Sequence, residues 1–259
     1  MTEKKDFYEK QSYRKLIGAN VSSRHYKVIE IAAKYNQKRQ INRMLDIGCL
    51  DGTFSMLLGE SISAKEIYGA DISEENVKNA QDKGCKAVVF DMDSGKLPFA
   101  NASFELIHAG DVIEHLYNPD NLLREIRRLL SDEGICIITT PNLAALANRI
   151  ALLLGYQPFP VGTSLENDTG KLFISSPLLL GGHIRVFTCR AFVQLCRIHG
   201  FKVIKSIGMP LSSGGQQNKG VKIIGNMERS ILAPTLYRAF PGLAWDSMYV
   251  LKIDTGRSK

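Results

Sequence analysis

Asp111, Glu114 and His115 stand at spacing i, i+3, i+4 in the segment Gly110-Asp-Val-Ile-Glu-His-Leu116. On a helical turn that spacing places the three side chains on one side. A second imidazole, His183, lies far downstream in Gly182-His-Ile-Arg-Val-Phe187. Three chemistries are open to the group. His115 or His183 could act as a general base, because an imidazole titrates near working pH. Two carboxylates and two imidazoles could instead hold Mg²⁺, Mn²⁺ or a related ion. Or Glu114 and His115 could only hydrogen-bond the surrounding loop and its cover. His108 falls mid-strand in Leu106-Ile-His-Ala109 and reads as a buried structural histidine.

These groups need an element to hold what they act on, and residues 43–55 supply it. Arg43-Met-Leu-Asp-Ile-Gly-Cys-Leu-Asp-Gly-Thr-Phe-Ser55 reads as a strand, a tight loop and a helix N-terminus. Gly48 and Gly52 allow a sharp turn and close approach of a ligand to the backbone. The spacing is neither Gly-x-Gly-x-x-Gly nor that of a P-loop, which excludes both of those phosphate-binding motifs. Asp46, two residues before Gly48, would repel a diphosphate and suits a ligand with a cationic group. Cys49 needs no thiolate role beside that loop.

Two further acids extend the pattern. Glu66-Ile-Tyr-Gly-Ala-Asp71 is a short strand ending in an acid 19 residues after Gly52. An acid at that separation accepts ribose hydroxyls in nucleotide-binding α/β folds. Lys86-Ala-Val-Val-Phe90 ends at Asp91-Met-Asp93, where an acid can accept the exocyclic amine of adenine. An acid for an amine, one for a ribose and one for an adenine together describe S-adenosylmethionine.

On the segments LDIGCLDG, GADIS, FDMDSGKLPF, FELIHAGDVIEHL and LLSDEGICIITTPN the chain resembles the class I S-adenosylmethionine-dependent methyltransferases. The likeness covers roughly residues 40–142 and is weaker beyond. It implies a doubly wound seven-stranded α/β sandwich with an inserted cap, and a cofactor set of Asp46, Gly48, Cys49, Gly52, Asp71, Ile72, Asp91, Met92 and Asp111. It also implies that residues 110–116 stand beside the sulfonium, with Glu114, His115 and His183 as catalytic candidates and S-adenosylhomocysteine as product. The chain is similar to ubiquinone/menaquinone-type O-methyltransferases, so an apolar or aromatic hydroxyl acceptor is expected. The set Asp111, Glu114, His115 and His183 is similar to the Glu-x-x-Glu-His plus distant His metal site of some RNA 2′-O-methyltransferases. Asp111 replaces a glutamate there and shortens its reach, so a metal is not expected. Two other classes are consistent with the residues: an RNA methyltransferase, and a protein that binds S-adenosylmethionine without catalysis.

Composition narrows the classes further. The chain has 259 residues and a 44% hydrophobic fraction, enough for one large domain. The net charge is +7, but the basic residues are dispersed, which predicts a solvated basic face, no DNA partner and no built RNA surface. Five scattered cysteines lack metal spacing and fit a reducing cytoplasm. Met-Thr-Glu-Lys-Lys-Asp opens no signal peptide, and no apolar stretch is long enough to span a bilayer. Nothing in the residues specifies an oligomeric state.

Four regions follow. Residues 1–39 are a polar helical segment, with Tyr8, Tyr13, Ile17, Val28, Ile29, Ile31 and Ala32 as apolar contacts, placed to cover the cofactor cleft or simply to pack. Residues 40–142 are the cofactor-binding core, with strands near 43–47, 66–71, 86–90, 104–109 and 134–139 and helices near 53–60, 74–82 and 119–130. Asp46, Asp71, Asp91 and Asp111 fall at or just after strand ends, where such sheets bind ligands. Residues 143–187 are a cap insertion. Its run Leu143–Tyr156 is either a buried helix or one lying on a membrane surface as a peripheral contact. Tyr156, Phe159 and Phe173 could line an acceptor pocket or pack the cap, and Arg149 and Arg185 could meet an anion or solvent. Residues 188–259 complete the core, with Thr188 and Gly200 capping a helix over 190–199, strands at 201–208 and 248–253, and a variable insertion at 209–247.

Overall fold

The computed structural model describes residues 22–164, 169–172, 183–210 and 235–256. Tyr8, Tyr13, Ile17 and Phe173 lie outside these residues, as do much of the cap segment and most of the 209–247 insertion.

The chain opens with helix α1 (Ser23–Asn36), then alternates β1 (Arg43–Ile47), α2 (Thr53–Ser61), β2 (Glu66–Asp71), α3 (Glu74–Asp82), β3 (Lys86–Val89) and β4 (Phe104–Gly110). A single 3₁₀ turn, Ile113–His115, precedes α4 (Pro119–Leu129) and β5 (Leu130–Pro141). There follow α5 (Leu146–Leu153), α6 (Cys189–Ile198), β6 (Phe201–Met209), α7 (Leu236–Ala239) and β7 (Asp246–Ile253). Cap chemistry sets several of these starts. The Ser73 side chain accepts from the Asn76 N–H, Asn118 from the Asn121 N–H with Pro119 next in line, and Thr188 from the Ala191 N–H. Gly200, one residue past the α6 C-cap His199, takes the left-handed φ of 74° that lets the chain turn into β6.

The strands form one seven-stranded sheet in the order β3-β2-β1-β4-β5-β7-β6. β1 to β5 pair in parallel; β7 runs antiparallel to both neighbours, β5 and β6. This is the fold class that the resemblance implied.

Alternate residues on the central strands serve two apolar layers. Leu45, Ile107, Cys136, Ile138, Tyr249 and Leu251 meet Leu122, Leu123 and Ile126 of α4 and Phe192 and Cys196 of α6. Met44, Leu106, Ile135, Ile137, Met248 and Val250 meet Val28, Ile29 and Ala32 of α1 and Leu57 and Leu58 of α2. Burial on both faces explains why these strands read as near-continuous apolar runs.

Two boundaries differ from expectation. β5 starts at Leu130, directly out of α4, where it pairs with Phe104 before a register shift brings Leu106 opposite Ile135. The cap helix is only Leu146–Leu153: Gly155 turns the chain after it at φ 80°, and buried Asn148 within it bonds the chain on either side. Its side chain donates to the Asn142 carbonyl at 3.0 Å and accepts from the Phe159 N–H at 2.9 Å. Leu152, Leu153 and Leu154 remain exposed. No helix among the described residues is long and apolar enough to cross a membrane.

Candidate functional site

The turn after β1 is built around its first glycine. Gly48 has φ 76°, and a Cβ there would lie 2.5 Å from Val112 Cγ2 in the loop after β4. Gly52 has a different task. It is the N-cap of α2 at φ 74°, and its missing Cβ lets that helix approach α3, where the Ala80 Cβ would be only 2.7 Å away.

A cavity of about 460 Å³ opens at this turn, within the range of small-molecule sites. Of the residues singled out from sequence, Asp46, Gly48, Cys49, Asp111 and His115 line it. The remaining wall includes Arg24, His25 and Val28 of α1, together with Leu50, Phe54, His108 and Thr139. Gly52, Asp71, Ile72, Asp91, Met92, Glu114 and His183 are outside that lining.

Asp46 is buried and held from two sides. Ser55 Oγ donates to Oδ2 at 2.5 Å, and His108 Nδ1 donates to Oδ1 at 2.7 Å. The buried His108 therefore orients the carboxylate that faces the cavity. Asp71 accepts the Leu50 N–H, the Ser73 N–H and the Asn76 side-chain amide, so it secures the glycine turn to the start of α3. Ile72 beside it is 68% exposed. Asp91 accepts the Asp93 N–H, and Met92 is buried in the α4-side layer. Burial, assisted by Asp46, drives the Cys49 thiol well above its ordinary pKa, so Cys49 is an inert packing group at neutral pH.

Asp111 departs from the expected helical face. Its φ of 54° breaks the backbone before the 3₁₀ turn begins, and its N–H donates to the Thr139 carbonyl at 3.0 Å. The carboxylate points to Arg24 Nη1 at 2.7 Å and accepts the Thr139 hydroxyl at 3.0 Å. Arg24 also lies 3.4 Å from Asp246. Burial works against the Arg24 charge, but Asp246 and Asp111 outweigh it and raise the guanidinium pKa.

Glu114, His115 and His183 do come together. One ligand atom from each lies within 4.8 Å of the others, and the two imidazole rings are 4.8 Å apart, edge to face. Backbone bonds lock the two segments: Ile184 and Arg185 N–H groups both donate to the Glu114 carbonyl, at 2.7 and 3.0 Å. Burial, with Asp111 nearby, raises the Glu114 carboxyl above the ordinary range. Burial, with His115 alongside, lowers His183, although Pro160 opposes this by accepting from Nδ1 at 3.1 Å.

The other cap candidates pack or face solvent. Phe159 rests on Trp245 with ring centroids 5.0 Å apart, and Tyr156 is partly exposed. Arg149 bonds the Ala144 carbonyl and Arg185 the Tyr117 carbonyl, both at the surface. Sequence reasoning did not single out Arg24, Thr139 or Thr140. The threonines end β5, so the strand-end rule that found the acids could have found them too. Arg24 had no such signal, because it sits in a polar helix read for its apolar contacts.

Comparison with known proteins shows the family. A family model described as a methyltransferase domain matches residues 19–206. An uncharacterized protein of Methanocaldococcus jannaschii is 32% identical over 216 residues, covering 81% of this chain and 80% of that protein. The 27-O-demethylrifamycin SV methyltransferase of Amycolatopsis mediterranei is 31% identical over 99 residues, 36% of each protein. A crystal structure of a SAM-dependent methyltransferase from Archaeoglobus fulgidus superposes with a TM-score of 0.53 at 17% identity, covering 88% of this chain and 94% of that one, which is a likeness of fold. The chain belongs to the methyltransferase-domain family and is an S-adenosylmethionine-dependent methyltransferase.

Proposed function

We propose that the protein transfers a methyl group to a hydroxyl of an apolar or aromatic small molecule. One observation carries this reading: the Gly48 turn and His115 line the same cavity. The donor end and His115, whose ring stands 4.8 Å from that of His183, therefore open onto one space.

The residues present fit the donor. The missing Gly48 side chain lets the turn pack against Val112 at the cavity wall. Buried Asp46 faces the cavity with an oriented carboxylate suited to an amine. Asp71, at the end of β2, would take the ribose, exposed Ile72 an apolar face of the base, and Asp91 its amine. S-adenosylmethionine supplies a methyl already activated on a sulfonium.

The protein's own part is alignment and proton handling. Phe54, Val28 and Leu50 present apolar surface in the cavity wall, which favours an apolar acceptor and excludes water. Orientation of reactants accounts for up to ~7–11 kcal/mol of barrier lowering in well-aligned cases. Burial lowers the pKa of His183, which favours the neutral ring beside His115. When bound, S-adenosylmethionine would supply the methyl and take back the carbon–sulfur electron pair, and the imidazole that lines the cavity, His115, would take the hydroxyl proton. The Amycolatopsis relative, by name a methyltransferase of 27-O-demethylrifamycin SV, supports the acceptor class. The matches described above do not single out the quinone-type branch.

The test is transfer of labelled methyl from S-adenosylmethionine into fractionated cell extract. Label should enter an organic-extractable small molecule. Label entering RNA or protein would replace the acceptor class, and tight cofactor binding with no labelled fraction would make this a binding protein.

A further inference from the structure

We propose that the turn closing α5, residues 152–156, docks the protein on an anionic lipid surface. α5 itself turns Asn148 and Ala151 inward and packs Ala147 against Trp245. The chain beyond does the opposite. Ile150, Leu152, Leu153, Leu154 and Tyr156 are all exposed, Leu153 at 86% and its two neighbours at 56% and 58%. Single exposed leucines are ordinary on a protein surface, whereas a contiguous apolar group marks a contact site.

The leucines stand on a fixed turn rather than on a fraying helix end. The Leu154 N–H donates to the Ile150 carbonyl at 3.1 Å, the Gly155 N–H to the Leu152 carbonyl at 3.0 Å and the Tyr156 N–H to the Ala151 carbonyl at 2.8 Å. Gly155 reverses the chain, and the Gln157 N–H then donates to the Gly170 carbonyl at 2.8 Å. Lys171 Nζ braces the return by donating to the Pro158 and Phe159 carbonyls, at 2.6 and 3.1 Å. The N–H groups of residues 154–157 are thus satisfied within the protein, so the side chains can enter an apolar layer without carrying bare donors with them.

Charge selects the kind of apolar surface. Residues 143–245 hold eleven lysines and arginines against three acids, a surplus of eight in a chain whose net charge is +7. The positive charge therefore belongs to this part of the chain, and the rest is near neutral. The helices divide the same way: α1 to α4 each carry an acid, whereas α5, α6 and α7 carry arginine and no acid. Arg149 on α5 is exposed one turn before Leu153, and no acid occurs in residues 143–165. Apolar side chains in a basic surround fit a layer with anionic headgroups and a hydrocarbon interior, in the manner of helices that lie at the interface rather than cross it. A second copy of the chain would set like charge against like, and a nucleic acid would leave the leucines in water. The docking goes beyond the acceptor reading and does not depend on it.

The full chain should be sedimented with vesicles of phosphatidylcholine alone and with vesicles of equal parts phosphatidylcholine and phosphatidylglycerol. It should pellet with the mixed vesicles, stay in solution with the neutral ones, and be released by added salt. Leu153→Glu should weaken binding to the mixed vesicles at least about tenfold, through lost apolar insertion and repulsion by the headgroups. Val89→Glu makes the same change of charge at a half-exposed position on β3, the far edge strand, and should weaken binding less than about threefold. Leu153 is exposed enough for its replacement to leave the fold intact, and the melting temperature checks both variants. Failure to pellet with the mixed vesicles, equal binding to the neutral ones, or equal losses in the two variants overturns the docking. So does self-association of the chain without lipid that Leu153→Glu abolishes, which would make the turn a contact between copies.

Discussion

Arg24 Nη1 reaches both carboxylate oxygens of Asp111, at 2.9 and 2.7 Å, and so ties α1 to the end of β4 on the cavity wall. The same nitrogen lies 3.4 Å from Asp246 at the start of β7. Three elements distant in sequence thus converge on one guanidinium, beside the loop that carries Gly48.

Removing that cation takes a positive partner from two acids. Arg24→Ala should lower unfolding free energy by about 3 kcal/mol, the lower end for breaking a buried pair, because Asp111 is partly open to solvent. Arg24→Lys should recover only part of it, since an ammonium is a point charge and cannot span both acids as well. A urea midpoint unaltered in Arg24→Ala would show that the ion pair contributes nothing.

Gly48→Val should abolish measurable S-adenosylmethionine binding by calorimetry. The new side chain would have to enter space already held by Val112, at a φ that β-branched residues avoid. Asp71→Ala should weaken binding by at least about tenfold, one charge-assisted hydrogen bond or more, while also loosening the Leu50 and Ser73 amides. Normal affinity in either variant contradicts the assigned donor site.

Much of this was legible from local patterns. Each parallel strand is a short apolar run that stops at a charged or glycine-rich turn, and burial on both faces makes such runs conspicuous. Glu114 and His115 were found through their spacing. Their separation from Asp111 was not, because a left-handed φ at an aspartate leaves no mark as clear as a glycine. Leu130 looked like the end of a helix because nothing intervenes between α4 and β5 to announce the change. The Arg24 contacts depend on how α1 is rotated against the sheet, which only tertiary packing decides.

Ser55→Ala tests the seat of Asp46. The hydroxyl is a short donor to a carboxylate that is 2% exposed, and no other donor to Oδ2 is present among the described residues. Leaving that oxygen unsatisfied should cost about 1–3 kcal/mol of stability in chemical denaturation. An unchanged denaturation curve would mean that water replaces the hydroxyl.

His25 should make stability depend on pH. Burial first, then the neighbouring His108 and Arg24, push its pKa down to about 4 from an ordinary 6.5. Its Nδ1 already accepts the Ser22 N–H at 3.0 Å, which requires the neutral ring. Between about pH 6.5 and 4 the unfolded chain takes up a proton that the folded chain refuses. Stability from this group is therefore full above that window and falls as pH drops through it. His25→Gln, which can still accept the same N–H, should flatten the slope of urea midpoint against pH. Equal slopes in the two proteins would exclude His25 as the source.

β7 follows the other six strands of the sheet in sequence, yet it lies inside the sheet between β5 and β6. During synthesis the donor-binding loops on β1 to β4 leave the ribosome well before residue 246. Until β7 follows, β5 shows a bare edge that carries Ile135, Ile137 and Ile138, and β6 has no strand to join. A nascent chain at that stage is half of an enzyme with an open template for strand addition. The interval before residue 246 emerges is thus when the nascent chain has greatest need of a chaperone.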